Sequence, residues 1–211
     1  QKAETTEVKV TVAAAISVYI WGDETKACVT GNTISSGKLE VLANAANAAK
    51  VTANASSTLS TTGVGVSVAI LVGDLINKAE LSGTHKTGYF LVKAGMGKDG
   101  ENDRVNDIQV ISISGAGASN VGVAGAVAIN IFDTEYAATQ DGTLTATNAD
   151  QTSEVTANVN QKVVTRAGAS ADLAGAGSST STGTGTSAGT GTSGTGTSGS
   201  SKKSVGVGAS F

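Results

Sequence analysis

The strongest constraint on this sequence is that it repeats itself. Residues 10–31 read VTVAAAISVYIWGDETKACVTG. Fifty-two positions on, 62–83 read TGVGVSVAILVGDLINKAELSG, and a further 59 on, 121–142 read VGVAGAVAINIFDTEYAATQDG. In this register Val12, Val64 and Val123 align, then Ile16, Val68 and Val127, then Val18, Ile70 and Ile129. Ala27, Ala79 and Ala138 follow, and Gly31, Gly83 and Gly142 close each unit. A chain built this way folds by stacking like units on one another. A second match, NAANAAKVTAN at 44–54 against NADQTSEVTAN at 148–158, extends the similarity beyond the shared glycine. A fourth unit opens at Ser204, delayed by 178–201, a tract made almost wholly of Ser, Thr and Gly.

Within each unit the residues alternate. Val8, Val10, Val12, Ala14, Ile16, Val18 and Ile20 fall on one face of a first long strand, and Lys9, Thr11, Ala13, Ala15, Ser17 and Tyr19 on the other. A period of two held this long predicts a strand and not a helix. In the second unit Val64, Val66, Val68, Ile70 and Val72 oppose Gly63, Gly65, Ser67 and Ala69. Such a strand suits a place between two layers, its thin side admitting a close neighbour. Asp23, Asp74 and Asp133 predict a turn after the long strand. A shorter strand to the shared glycine and a more polar one (38–43 or 143–147) come next. Units of this length predict about two rungs each of a parallel β-helix. Thr143, Thr145 and Thr147, with Thr52, Asn54 and Ser56, would then be solvent-facing rows.

Composition agrees. The 211 residues include 28 Gly and no Pro, with only 3 Phe, 3 Tyr and 1 Trp. A core of many thin strands needs small and β-branched residues more than aromatics. The same scarcity argues against a membrane β-barrel, which carries aromatic girdles. The apolar runs at 63–76 and 121–132 are shorter than the roughly 18–20 residues of a membrane helix. With a net charge of −3 and no basic stripe, nucleic acid is not an expected partner. The fold class expected is therefore all-β: a parallel β-helix or β-solenoid of about three diverged repeats plus a truncated fourth. Units start near 10, 62, 121 and 204 within a fragment, 1–211, of a longer array, and 178–201 is an insertion.

The phrases Val64-Gly-Val-Ser-Val-Ala-Ile70, Asn120-Val-Gly-Val-Ala-Gly-Ala-Val-Ala-Ile-Asn130 and Ser204-Val-Gly-Val-Gly-Ala209 carry a resemblance, as does Asn77-Lys-Ala-Glu-Leu-Ser-Gly83. Together they resemble the repeats of the leukotoxin-type filamentous adhesins, large repetitive proteins of Gram-negative anaerobes. The resemblance covers nearly the whole chain outside the Ser/Thr/Gly tract. It implies a secreted or outer-surface location, a β-helical shaft, and a role in adhesion or host-cell damage. Expected partners are a host-cell surface, matrix or glycan ligand, or other copies of the chain. It supplies no catalytic residue.

The candidate sites are sparse. Asp99, Glu101, Asp103 and Asp107 form the densest acidic stretch and offer oxygen ligands to calcium, though at neither EF-hand nor β-roll spacing. Otherwise they are a solvated insertion, and no other cofactor is expected. His85 is the only histidine and reads as part of a turn between Gly83 and Gly88, with no nucleophile or ligand set beside it. Cys28, the single cysteine, aligns with Glu80 and Thr139, so it belongs at a partly exposed position open to thiol chemistry, with nothing nearby to activate it. Trp21 and Tyr19 are either a small aromatic patch or packing. Gly115-Ala-Gly117 lacks the helix that phosphate binding needs. The Thr-Gly tract reads as a linker, and alternatively as a flat hydroxyl array. No enzyme is expected. The alternative to an adhesive shaft is an ice- or polysaccharide-binding module using Thr and Ser rows. A carbohydrate-active enzyme would need carboxylates clustered on successive rungs, and Asp23, Asp74 and Asp133 suit turns instead.

Overall fold

The computed structural model describes residues 10–99, 102–173 and 203–210, so the tract at 178–201 lies outside the described residues. The described chain is all-β. Its elements are β1 (Val10–Ile34), β2 (Lys38–Asn44), β3 (Ala48–Thr87), β4 (Tyr89–Gly95), β5 (Lys98–Asp99), β6 (Asn102–Asp103), β7 (Asn106–Ala146), β8 (Glu154–Ala157), β9 (Gln161–Leu173) and β10 (Lys203–Ser210). Among the described residues no helix is long and apolar enough to cross a membrane.

The sequence register is the pairing register. β1 runs parallel to β3 with Val12 beside Val64, Ile16 beside Val68 and Gly31 beside Gly83, and no slip along its length. β3 runs parallel to β7 with Val64 beside Val123 and Gly83 beside Gly142. β10 continues the series one residue out of the expected phase, Ser204 lying beside Gly122. β9 pairs with the first part of β7, and β2, β4 and β8 form a second parallel sheet. Each unit therefore supplies one strand at each position of the stack, one rung and not the two expected. The reason is strand length: β1 alone holds 25 residues, where a typical strand has about 5–6.

The larger sheet curls over itself. The β3–β7 ladder slips between Ser57 and Thr62, and beyond the slip 62–71 lies over 49–57 and 108–117. A Cβ added to Gly65 would stand 2.2 Å from the Gly115 carbonyl oxygen, and one on Gly63 would meet that of Gly117 at 2.9 Å. Only a row without side chains lets two backbones approach so closely. Ala49, Val51, Ala53, Ala69, Leu71, Ile108, Val110 and Ala128 fill the space further along. The remainder of the long strands packs on the second sheet through Ala79 and Leu81 against Val41, Ala43, Val92 and Ala94. Two facing layers result, one made of the long strands and one of shorter strands set end to end.

Four sequence expectations change. The bulky face of the long strands points outward and the thin face is the interior, so Val64–Ile70 are not sandwiched. Asp74 and Asp133 sit beside each other in mid-strand, exposed and without a break, while half-buried Asp23 pairs one residue away with Leu75 on the other face. The shared change of backbone comes later, within the paired strands at Gly31, Gly83 and Gly142, whose φ angles are 104°, 112° and 116°. The second match was a misalignment. Val155 and Ala157 stack through Val92 and Ala94 on Val41 and Ala43, while Val51 stacks on Val110. Loops of unequal length change the offset from one part of the unit to the next, and a single shift cannot follow it. His85, finally, is a fully buried residue of β3.

Candidate functional surfaces

The most extensive feature is the outward face of the long strands. Val10, Val12, Ala14, Ile16, Val18 and Ile20 lie beside Thr62, Val64, Val66, Val68, Ile70 and Val72. Those in turn lie beside Val121, Val123, Gly125, Val127, Ile129 and Ile131. Exposure reaches 75% at Ile16 and Ile20, 60% at Ile131 and 45% at Val66 in the middle strand. Parallel sheets normally have both faces covered. Here the large apolar residues point away from a core of Gly, Ala and Ser.

The plateau ends abruptly. At the next outward positions stand Gly22, Asp74 and Asp133, then Glu24, Ile76 and Glu135. Beyond them the face is polar and laced by ion pairs between neighbouring strands, Lys26 to Glu80 at 2.7 Å and Lys78 to Glu135 at 2.9 Å. The hydrogen bond from Lys26 holds the Glu80 carboxyl below its ordinary range, and the same bond holds the Lys26 ammonium above its own. Cys28 is exposed in this polar half, next to Glu80 in the ladder. Lys38 pairs with Glu40 and also lies 5.6 Å from the centre of the Tyr89 ring.

The hydroxyl rows are exposed as expected, but they do not continue across strands. Thr52 lies beside Ile111, which lies beside Arg166. Thr145 lies beside Lys86, which lies beside Ile34. Polar rows persist near the shared glycine, at Thr30, Ser82 and Asp141 and at Asn32, Thr84 and Thr143, where the Thr84 amide donates to the Asn32 side-chain oxygen at 3.2 Å.

The acidic stretch is divided. Lys98–Asp99 and Asn102–Asp103 form a short antiparallel pair; Glu101 and the side chains of Asp99 and Asp103 lie outside what is described. Asp107 opens the following strand run, where its carboxylate accepts both contacts of the Gln109 amide at 3.0 Å. Among the described residues no group of three or more His, Cys, Asp or Glu is placed to hold a metal. His85 is set against the Ser82 carbonyl at 3.1 Å. Trp21 is not a surface patch with Tyr19: its ring stacks on Phe132 at 5.7 Å across the intervening Gly73. Gly115 and Gly117 belong to the close backbone approach between layers.

A polar seam escaped the sequence reading. Where the shorter strands meet end to end, buried Asn77 donates to the carbonyls of Ala43 at 3.1 Å and Gly95 at 2.9 Å. One strand along, at the aligned position, the Tyr136 hydroxyl donates to the Ala45 carbonyl at 3.1 Å and accepts from Asn106 at 3.2 Å. Burial raises the Tyr136 phenol above its ordinary value, against the hydrogen bond from Asn106, which lowers it. The signal was there: Asn77 and Tyr136 share a repeat position. These groups satisfy backbone carbonyls at a sheet boundary, a structural task. The chain matches no family model, no curated protein and no solved structure.

Proposed function

We propose that the chain is a length of β-solenoid shaft from a large secreted or surface-exposed bacterial protein of the adhesin or leukotoxin-like kind. Its work is structural and adhesive, and it catalyses no reaction. One observation carries the shaft: three successive units lie parallel, at constant offset along the long strands, and share a positive-φ glycine at the same position. Such a stack grows by adding units along one axis. Adhesion draws its support from the repeat phrases and their likeness to filamentous adhesins. A shaft of this kind would meet host-cell surface, matrix or glycan through shallow repeated faces. The interrupted hydroxyl rows favour this reading over ice or polysaccharide recognition, which needs matching rows on successive rungs.

The test is immunolabelling of the source cells with antibody raised to the purified chain. Intact cells should label as strongly as permeabilised ones. Labelling confined to permeabilised cells would overturn the surface assignment.

A further inference from the structure

We propose that the apolar half of the long-strand layer is a docking face for a second copy of this chain, the two copies packing face to face. This is distinct from strand addition at an open edge, and it does not depend on the adhesive role.

Three observations carry it. The first is chemical. Every outward position at 10–20, 62–72 and 121–131 is Val, Ile, Ala or Gly, except Thr62 at one end of the middle strand. A contiguous apolar surface of this extent on a parallel sheet marks an interaction site. The second is size. Three strands about 4.8 Å apart and about eleven residues long at about 3.3 Å each present a footprint of roughly 500 Å². Two such faces bury on the order of 1,000 Å² in flat projection, which side-chain relief increases, and that reaches the range of specific interfaces.

The third observation is shape and charge. Like side chains stand in rows across the strands: Val12, Val64 and Val123; Ile16, Val68 and Val127; Ile20, Val72 and Ile131. The row of Ala14, Val66 and Gly125 is lower at both its ends. Rows of β-branched residues with grooves between them interdigitate with a copy of themselves, as in dry sheet-to-sheet contacts. Asp74 and Asp133 bound the plateau at one end only. A two-fold axis lying in the interface and running across the strands therefore sets the acidic rim of each copy over the opposite end of its partner and keeps the two rims apart. The same rim disfavours an anionic membrane, and the face carries none of the aromatic anchors of membrane-surface binding.

The test is sedimentation equilibrium on the whole 211-residue chain across a concentration series. The unaltered chain should form a dimer. Val66→Lys with Ile131→Lys should weaken it at least tenfold, and Thr139→Lys on the polar half should leave it unchanged. The milder pair Val66→Thr with Ile131→Thr keeps β-branching and strand propensity, and should weaken it about threefold with an unaltered melting curve. Three results would overturn the proposal. One is an unaltered chain that stays monomeric at high concentration. Another is association indifferent to both double variants, which would assign it to the strand edge. The last is a monomer that co-floats with phosphatidylcholine vesicles, which would make lipid the occupant.

Discussion

At the scale of single residues, the glycines divide by what surrounds them. Gly31, Gly83 and Gly142 share a left-handed conformation, which costs a residue with a side chain about 1 kcal/mol or more. Only two of them are also crowded. A Cβ on Gly83 would lie 1.9 Å from the Gly31 oxygen and one on Gly142 2.1 Å from the Gly83 oxygen, while Gly31 faces open space. Gly31→Ala should therefore cost about 1 kcal/mol, the conformational penalty alone. Gly83→Ala and Gly142→Ala should each cost about 3 kcal/mol or more, because neighbouring strands must also part. Urea denaturation of the three variants checks the order; equal losses would mean that the backbone conformation is the whole effect.

At the scale of elements, the contact between the two halves of the curled sheet rests on very small groups. Ser67 and Ser112 are fully buried and share a hydrogen bond of 2.7 Å across it. Either hydroxyl alone would be a buried polar group without a partner, a loss of about 1–3 kcal/mol. Ser67→Ala and Ser112→Ala should each destabilise by about that amount, while the double variant should lie close to the unaltered protein. A double-mutant cycle reads this as coupling of about 1 kcal/mol or more; simple additivity would show that the pair contributes nothing specific. The aromatic pair acts differently. Trp21 and Phe132 close over Gly73, where a Cβ would lie 2.5 Å from the Phe132 ring. Two strands thus lend their side chains to cover the bare backbone of the strand between them.

At the scale of the whole molecule, the stack has a centre and ends. β3 pairs on both sides, with β1 and with β7, whereas β1 has a described partner only on one side. In a parallel ladder alternate amides of an edge strand point away from the sheet. Hydrogen exchange should therefore be slow at successive amides of 62–81, and should alternate between slow and fast along 10–30. Heteronuclear NMR resolves the two patterns. Uniform protection along 10–30 would place a strand on that edge, and would separate edge pairing from contact through the apolar plateau.

Much of the long-strand layer was legible in the sequence. Alternation marked the strands, and the aligned Val, Ile and Gly positions set their register, because parallel neighbours with one residue type per row repeat that type at a fixed interval. The shorter strands were not legible to the same degree. Their offsets depend on loop length, and Val-Thr-Ala-Asn at 155–158 stacks on 41–44 instead of on 51–54. The inward direction was also hidden. Alternation identifies two faces, and Val64–Ile70 opposed by Gly63–Ala69 read as a strand covered on both, its thin side admitting a close neighbour. Tertiary structure decided otherwise for a steric reason: Gly63, Gly65, Gly115 and Gly117 let the curled sheet close on itself through its thinnest side. By itself the sequence determined the repeat, the long strands and the shared glycine that closes each unit. Only the folded arrangement turned the large apolar rows outward, and with them created the surface on which association depends.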